Sequence, residues 1–229
     1  MSRVSPRQAD PNLSTNLIEA AAKLLAEEGP KALSTRRLAA AVGTSTMAVY
    51  TQFGGKDDLV RAMVREGFQL LNRRMTEVRA TTDPVADVVT LGLAYRRNAR
   101  EHLHLYSVMF GGSSLGGFAL TDEDRQHGRY TLEILVRAVT RCIEAGRFHP
   151  TDPELTAHQL WIALHGLVTL ETGGYLIAPY DADTCFDAQV HATLISAGDS
   201  PAAATASIGH AQQRHSPHPA QTTPSGLPA

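Results

Sequence analysis

Residues 34–56 read STRRLAAAVGTSTMAVYTQFGGK, and the rest of the chain is organised around this stretch. Its spacing predicts two short helices joined by a tight turn: Ser34 can cap the first helix and Gly43 can end it in a left-handed conformation. Ser45 can then cap the second helix, which places large apolar side chains on barely two turns and leaves a small, polar outer face. Such a helix needs tertiary support, and its polar face suits a DNA major groove, as in a helix-turn-helix.

The positive charge of the chain lies in the same part of the sequence. Residues 1–80 contain 12 Lys and Arg against 8 Asp and Glu, whereas residues 81–229 contain 9 against 15. Within a net charge of −2, this asymmetry is expected of a DNA-binding segment joined to an acidic body. The chain is 43% hydrophobic, which suffices for one or two modest cores and excludes disorder of the whole.

Cysteine content and hydropathy indicate the compartment. Cys142 and Cys185 are the only cysteines, so no disulfide framework is implied and a reducing cytoplasm fits best. The first residues lack the apolar run of a signal peptide, and the longest apolar stretch, 160–178, is interrupted by His165 and Glu171. We therefore expect a cytoplasmic protein with no membrane partner.

Helix signals continue along the chain to residue 197, and no strand pattern occurs. A first helix follows Asp10-Pro11, a fourth runs to about Arg79, and Asp83-Pro84, Thr121 and Asp152-Pro153 mark the starts of helices further on. The fold class predicted is all-α. The predicted divisions are a flexible arm (1–9), a helix-turn-helix DNA-binding domain (10–56), a linking helix (57–82), a helical ligand-binding and dimerisation domain (83–197) and a disordered tail (198–229). The tail is assigned on its composition, which has almost no large apolar residue.

Residues 17–60, LIEAAAKLLAEEGPKALSTRRLAAAVGTSTMAVYTQFGGKDDLV, resemble the N-terminal DNA-binding domain of the TetR/AcrR family of bacterial transcriptional regulators. The matching positions are Gly29, the Thr35-Arg36-Arg37-Leu38-Ala39 opening of the second helix, Gly43, Tyr50, Phe53 and Lys56. An ordered set over more than forty positions is far more specific than a lone helix-turn-helix pattern. The resemblance implies a DNA-binding transcriptional regulator.

The body resembles the ligand-binding domain of the TetR subfamily named for its Trp-His-Gly signature. The strings that match are AYRRNAREHLHLYSVMFG, GRFHPTDPE and the segment from Trp161 through His165-Gly166. A Pro is common in that subfamily where Leu103 stands here, so the entry to the short helix can differ. This resemblance implies a homodimer whose last two long helices form a four-helix bundle between subunits.

Predicted DNA contacts fall on the second and third helices. The family resemblance implies that Arg36 reaches a base edge; the alternative is a solvated charged face. Gln52 could pair with adenine, and Met47 or Ala48 could touch a thymine methyl group. Tyr50 and Lys56 match phosphate contacts, although Tyr50 could equally be partly core. The full predicted set is Thr35, Arg36, Arg37, Ser45, Thr46, Met47, Ala48, Tyr50, Thr51, Gln52 and Lys56.

Predicted effector contacts fall on the body helices. The set is Tyr106, Met109, Phe110, Trp161, Leu164, His165, Val168 and Tyr175, and core packing is an equal alternative for each one singly. His165 could hydrogen-bond a ligand. His158, Trp161 and His165 share one helical face, which would also suit a metal site, but neither an H-E-x-x-H motif nor a close Cys/His cluster occurs.

These patterns favour a homodimeric repressor that binds a pseudo-palindromic DNA operator and leaves it when a small-molecule effector occupies the body. We predict no catalytic residue, metal or cofactor, and no enzymatic activity. The alternatives are a metal-dependent helical enzyme that uses the body histidines, and a helical binding module that has kept the DNA-binding domain without using it.

Overall fold

The computed structural model describes residues 11–110, 118 and 120–215, and these residues form ten α-helices and no strand. The helices are α1 (Leu13–Glu28), α2 (Thr35–Val42), α3 (Thr46–Phe53), α4 (Lys56–Thr76), α5 (Pro84–Glu101), α6 (Leu103–Met109), α7 (Asp122–Glu144), α8 (Pro153–Thr172), α9 (Ala182–Ala197) and α10 (Pro201–His215). The all-α prediction is confirmed. The predicted arm, residues 1–9, lies outside the described residues.

Helices α1 to α3 form the head of the molecule, and local capping explains their ends. The Ser34 hydroxyl accepts a hydrogen bond from the Arg37 amide at 3.3 Å, and the Ser45 hydroxyl accepts one from the Ala48 amide at 3.1 Å. Gly43 ends α2 with a φ of 70°, a left-handed conformation that glycine adopts without steric cost. These caps confirm the turn between the two helices.

The first helix begins later than the sequence predicts. Asp10, the predicted cap, lies outside the described residues, and α1 begins at Leu13 after Asn12, whose side chain makes no capping hydrogen bond. The buried positions Leu17 and Leu25 fix the face of this helix, and a start one or two residues from the predicted one is within the ordinary variation of helix ends.

Helix α4 joins the head to the body, which comprises α5 to α10. It contacts α1 and α3 on the head side and α5, α6 and α7 on the body side. It packs closely against α6 at Gly67, where an added Cβ would lie 2.5 Å from Cγ of Met109. One helix therefore shares its buried surface between the head and the body.

The caps of the body helices follow the sequence signals. The Asp83 carboxylate accepts a hydrogen bond from the Ala86 amide at 3.1 Å at the start of α5. Thr121 and Asp124 form a reciprocal capping box at the start of α7, and Asp152 caps α8. No helix in the described part of the chain is long and apolar enough to cross a membrane.

The predicted disordered tail is wrong for residues 198–215: Asp199 is buried and paired with Arg147, and residues 201–215 form α10. This helix packs against α5 and α9 through the buried residues Ala204, Ser207, Ile208 and Ala211. Small side chains let the helices approach closely, so α10 buries a face without the large apolar residues that composition looks for. Residues 216–229, the rest of the predicted tail, lie outside the described residues.

Polar contacts attach α10 to the start of α5. The Ser207 hydroxyl lies 2.9 Å from the Asp83 carboxylate, and Arg147 and His210 also contact that carboxylate. Burial alone would raise the pKa of Asp83, but these hydrogen bonds, the Ala86 amide and the Arg147 charge hold that pKa below its usual value.

A second carboxylate on α5 is held in the same way. Asp87 is buried and accepts hydrogen bonds from Arg141 of α7 and Arg214 of α10, both at 2.8 Å. Burial favours a higher pKa for Asp87, but the bonds from Thr81, Arg141 and Arg214 outweigh it and lower the pKa. Arg214 also donates to the Arg79 carbonyl at 2.9 Å, so α10 holds the α4–α5 connection.

Candidate functional site

The outer face of α3 is polar and open. Thr46, Thr51 and Gln52 are exposed, Met47 is 71% exposed, and Tyr50 is 53% exposed. On the opposite side of the helix Val49 is buried in the head core. The predicted recognition positions thus share an accessible face on a helix whose other face anchors it.

Some of the predicted DNA contacts around α2 already have bonding partners within the chain, and others do not. Arg36 is exposed and pairs with no acid among the described residues, so its guanidinium can reach a partner outside the chain. Arg37 is held by Glu28 at 2.7 Å. Lys56 donates to the Pro30 carbonyl at 2.9 Å, and Ser45 is occupied as a helix cap. Thr35 and Ala48 are both half-buried beside this face.

The body contains a cavity of about 690 Å³, partly open to solvent, between α4, α5, α6, α7, α8 and α9. Ligand cavities in proteins typically have 300–1,000 Å³. Four of the eight predicted effector residues line this cavity, namely Met109, Phe110, Trp161 and Leu164. The other four are not among its lining residues: Tyr106, His165, Val168 and Tyr175.

The four residues outside the lining have other positions. Val168 is fully buried in the core, and Tyr175 lies after α8 with 75% of its surface exposed. His165 Nδ1 lies 2.9 Å from the hydroxyl oxygen of Tyr95 and 2.9 Å from that of Tyr106, and these oxygens are 3.2 Å apart. Burial lowers the pKa of His165, which favours the neutral ring. This cluster ties α5, α6 and α8 together beside the cavity.

Aromatic contacts lead from the cavity wall to α4. The ring of Phe110 lies 4.4 Å from that of His165 and 6.2 Å from that of Trp161, measured between centroids. On its other side Phe110 meets Phe68 of α4 edge-on at 5.6 Å. Helix α6 also contacts α1, so the cavity wall touches the head by two routes.

Most of the remaining cavity lining is not recognisable from sequence. Phe68, Leu71 and Met75 of α4 and Phe186, Val190 and Leu194 of α9 are lining residues. Each has the spacing of an ordinary core position, and nothing local separates a side chain facing a cavity from one facing another side chain. Among the described residues, no group of three or more His, Cys, Asp or Glu could hold a metal ion.

A helix-turn-helix head with an open recognition helix, joined by one helix to a helical body around a cavity, defines a DNA-binding transcriptional regulator. Residues 17–63 match the family model described as bacterial regulatory proteins of the tetR family, and residues 88–193 match the tetracyclin repressor-like C-terminal domain. The chain belongs to the TetR family. Its assignment to the Trp-His-Gly subfamily stays a prediction.

Solved structures show the same fold. A protein with unknown function from a Rhodococcus species is 25% identical, with a TM-score of 0.70 over 85% of this chain and 100% of that one. The TetR family regulator PfmR from Thermus thermophilus is 21% identical, with a TM-score of 0.63 over 80% and 99%. The regulator FadR from Bacillus subtilis, in complex with stearoyl-CoA, is 18% identical, with a TM-score of 0.65 over 79% and 97%. No protein of curated function matches the chain.

Proposed function

We propose that the chain is a cytoplasmic, homodimeric repressor that leaves its DNA operator when a small molecule fills the body cavity. Residues 10–56 form the DNA-binding domain, residues 57–82 the link, and residues 83–197 together with α10 the ligand-binding and dimerisation domain. The observation that carries this proposal is that α4 supplies Phe68, Leu71 and Met75 to the cavity wall and also packs against the head. A ligand that changes the cavity wall must therefore act on the helix that holds the head.

Specific binding to an operator requires the DNA-binding heads of the two subunits to be held at a fixed separation. In a helix-turn-helix dimer the recognition helices enter major-groove half-sites roughly 34–36 Å apart, or a multiple of that spacing. A ligand that binds better to a body with the heads at another separation shifts the population away from the DNA-bound form. Linkage makes the effect reciprocal, so operator DNA weakens effector binding by the same factor.

An apolar stripe on α8 supports the dimer. Leu155, Ile162 and Leu170 are spaced by seven and eight residues, which places them on one face of the helix. They are 58%, 62% and 47% exposed in the single chain, and Gly166 lies exposed between the last two. A face of this kind is unfavourable in water unless a second copy covers it.

On the operator we assign base reading to Arg36 and to the α3 face of Thr46, Met47, Ala48, Thr51 and Gln52. Phosphate contacts are assigned to Thr35, Arg37, Ser45, Tyr50 and Lys56. Arg37 and Lys56 would have to exchange their bonds to Glu28 and the Pro30 carbonyl for phosphate oxygens. Such an exchange replaces one charge-assisted contact with another, so it costs little.

A gel-shift titration on the DNA upstream of the gene for this chain tests the proposal. We expect a sequence-specific shift that weakens steeply with salt. Arg36→Ala should lower the preference for the operator over scrambled DNA, whereas Lys56→Ala should weaken both about equally. Arg137→Ala, which removes an exposed arginine from α7 in the body, is the matched control and should change neither. Equal binding to operator and scrambled DNA by the unaltered protein would exclude a specific regulator of that region.

A further inference from the structure

The hydroxyl groups of the cavity lining are already hydrogen-bonded within the chain, and the other uncharged polar residues of the lining are Gln126, Gln189 and His158. The Thr131 hydroxyl donates to the Gly128 carbonyl at 2.7 Å, and the Thr193 hydroxyl donates to the Val190 carbonyl at 2.9 Å. The Tyr95 hydroxyl is engaged by the His165 cluster. Among the described residues the only buried side-chain atom without a hydrogen-bond partner is Oδ1 of Asn98, which is not in the lining. Because these hydroxyl groups have partners and most of the lining is apolar, the middle of the cavity suits an apolar body.

The charged lining residues lie at the two ends. Helices α7 and α8 pack together and are joined by a short connection, residues 145–152, so they run antiparallel. Arg125 and Arg129, near the start of α7, are thus at the opposite end of the cavity from Glu154, near the start of α8. Lining positions on α7 extend from Asp122 to Leu135, which at 1.5 Å per residue spans roughly 20 Å.

The two ends differ in how their charges are compensated. At the α7 end Arg125 pairs with Asp122 at 2.7 Å, but Arg129 is exposed and has no ion pair or hydrogen bond from its side chain to a described residue. At the α8 end Glu154 lies in the first helical turn, where the positive end of the helix dipole offsets its charge. The charge left without compensation in the lining is therefore the positive charge of Arg129.

We propose that the cavity binds an elongated apolar molecule with an anionic group at one end, and that Arg129 receives this group. This inference rests on the proposed effector cavity and names the chemical class of its ligand. The chemistry is that of a long-chain carboxylate or of an acyl thioester with a phosphorylated carrier. The apolar chain lies along α7 against the residues of α4 and α9, and Arg129 sets its orientation by holding the anionic group at the α7 end of the cavity.

The intrinsic fluorescence of Trp161 reports binding directly, because it is the only tryptophan of the chain and it lines the cavity. The full-length protein is titrated below micelle-forming concentrations with three probes of equal chain length: dodecanoate, dodecanol and dodecyltrimethylammonium. We expect dodecanoate to bind tightest. Decanoate should bind roughly fifteenfold more weakly than dodecanoate, because it lacks two methylenes and each buried methylene contributes about fourfold. Tightest binding by dodecyltrimethylammonium would overturn the anionic assignment, as would no response to any of the probes.

Two matched variants locate the anionic group. Arg129→Gln should weaken dodecanoate binding by roughly three- to tenfold, the range for losing a charge-assisted contact at a solvent-accessible edge, and should leave dodecanol unchanged. Arg137 lies two helical turns further along α7, outside the lining, so Arg137→Gln should change the affinity for neither dodecanoate nor dodecanol. Equal affinity of the unaltered protein and Arg129→Gln for dodecanoate would overturn the role of Arg129.

The same preparation separates this inference from the proposed repressor function. Sequence-specific DNA binding without dodecanoate binding would overturn the ligand class and leave the regulator intact. Dodecanoate binding without loss of the gel shift would support the ligand class and overturn effector release. Dodecanoyl-CoA distinguishes the two sources of the anion: tighter binding than dodecanoate supports an acyl thioester, and weaker binding supports the free acid.

Discussion

Substitution of Gly67 by alanine tests the packing of α4 against the cavity wall. An added Cβ would lie 2.5 Å from Cγ and 2.7 Å from Sδ of Met109, so the Met109 side chain, which is only 1% exposed, must shift towards the cavity that it lines. Overpacking of a core by one methyl group typically costs 1–3 kcal/mol, whereas alanine gains about 1 kcal/mol over glycine inside a helix. The net expectation is a loss of roughly 0–2 kcal/mol in the free energy of unfolding.

Gly209→Ala is the matched control, because it is also inside a helix and an added Cβ there meets no heavy atom within 4 Å. This variant should gain about 0.5–1 kcal/mol. The informative quantity is the difference between the two variants, about 1–3 kcal/mol, since the helix propensity term is common to both. Urea unfolding followed by circular dichroism measures it, at one protein concentration because a dimer's stability depends on concentration.

Equal stability of Gly67→Ala and Gly209→Ala would refute the close approach of α4 and α6. A second comparison uses Met109→Ala as the background. Removal of the clashing atoms should abolish the penalty of Gly67→Ala, and the non-additivity of the double variant measures the contact directly. Persistence of the full penalty in that background would place the strain elsewhere in α4.

Three further outcomes are expected. Arg214→Gln should lower the free energy of unfolding by about 1 kcal/mol, because Asp87 loses one of two guanidinium partners; urea unfolding measures it, and an unchanged midpoint would mean that α10 is not held by this pair. Ser45→Ala should cost about 1 kcal/mol in the same assay through loss of the α3 cap, and no loss would show that the head does not depend on this cap. Because the folded-state pKa values of Asp83 and Asp87 are lowered, their contribution to stability is complete above about pH 4 and is lost as the pH falls through those values. The midpoint temperature of thermal unfolding should therefore fall less steeply between pH 7 and pH 3 when both residues are changed to Asn. An identical slope in the variant would contradict their role.

The head could be predicted from sequence because its signals are local. Ser34, Gly43 and Ser45 act on backbone groups within four residues of themselves, so the same pattern gives the same turn in any context. The capping box of Thr121 and Asp124 is local in the same sense and was equally predictable.

Helix α10 could not be predicted because its support comes from distant parts of the chain. Ser207 is 124 residues from Asp83, and Arg214 is 127 residues from Asp87. The sequence of residues 201–215 shows alanines and polar residues. It gives no indication of the Asp83 and Asp87 carboxylates at the start of α5 that bind Ser207 and Arg214. Composition measures what a segment can bury by itself, and this segment completes a surface that other helices provide.

The cavity shows a related difficulty. The helix period identifies which residues of α8 face inward, but it cannot tell which of them meet empty space. Trp161 and Leu164 line the cavity. Val168, one turn beyond Leu164, is fully buried in the core, and His165 is hydrogen-bonded to two tyrosine hydroxyl groups. Facing a void is a property of the opposing helices, so it emerges only when α4, α5, α7 and α9 are placed together.

The way α4 is held explains why stability, ligand binding and DNA binding should respond to the same residues. Beyond its C-terminal end, the Arg79 carbonyl is bonded to Arg214 of α10, and its middle is packed at Gly67 against Met109 of α6. Met109 in turn lines the cavity, and α6 also contacts α1 of the head. A ligand that displaces Met109 must therefore disturb both the α4–α6 contact and the α6–α1 contact, because packed interiors shift as units and do not absorb such changes locally. It follows that Gly67→Ala, which presses on Met109 from the opposite side, should alter operator affinity as well as stability, whereas Gly209→Ala should alter stability alone.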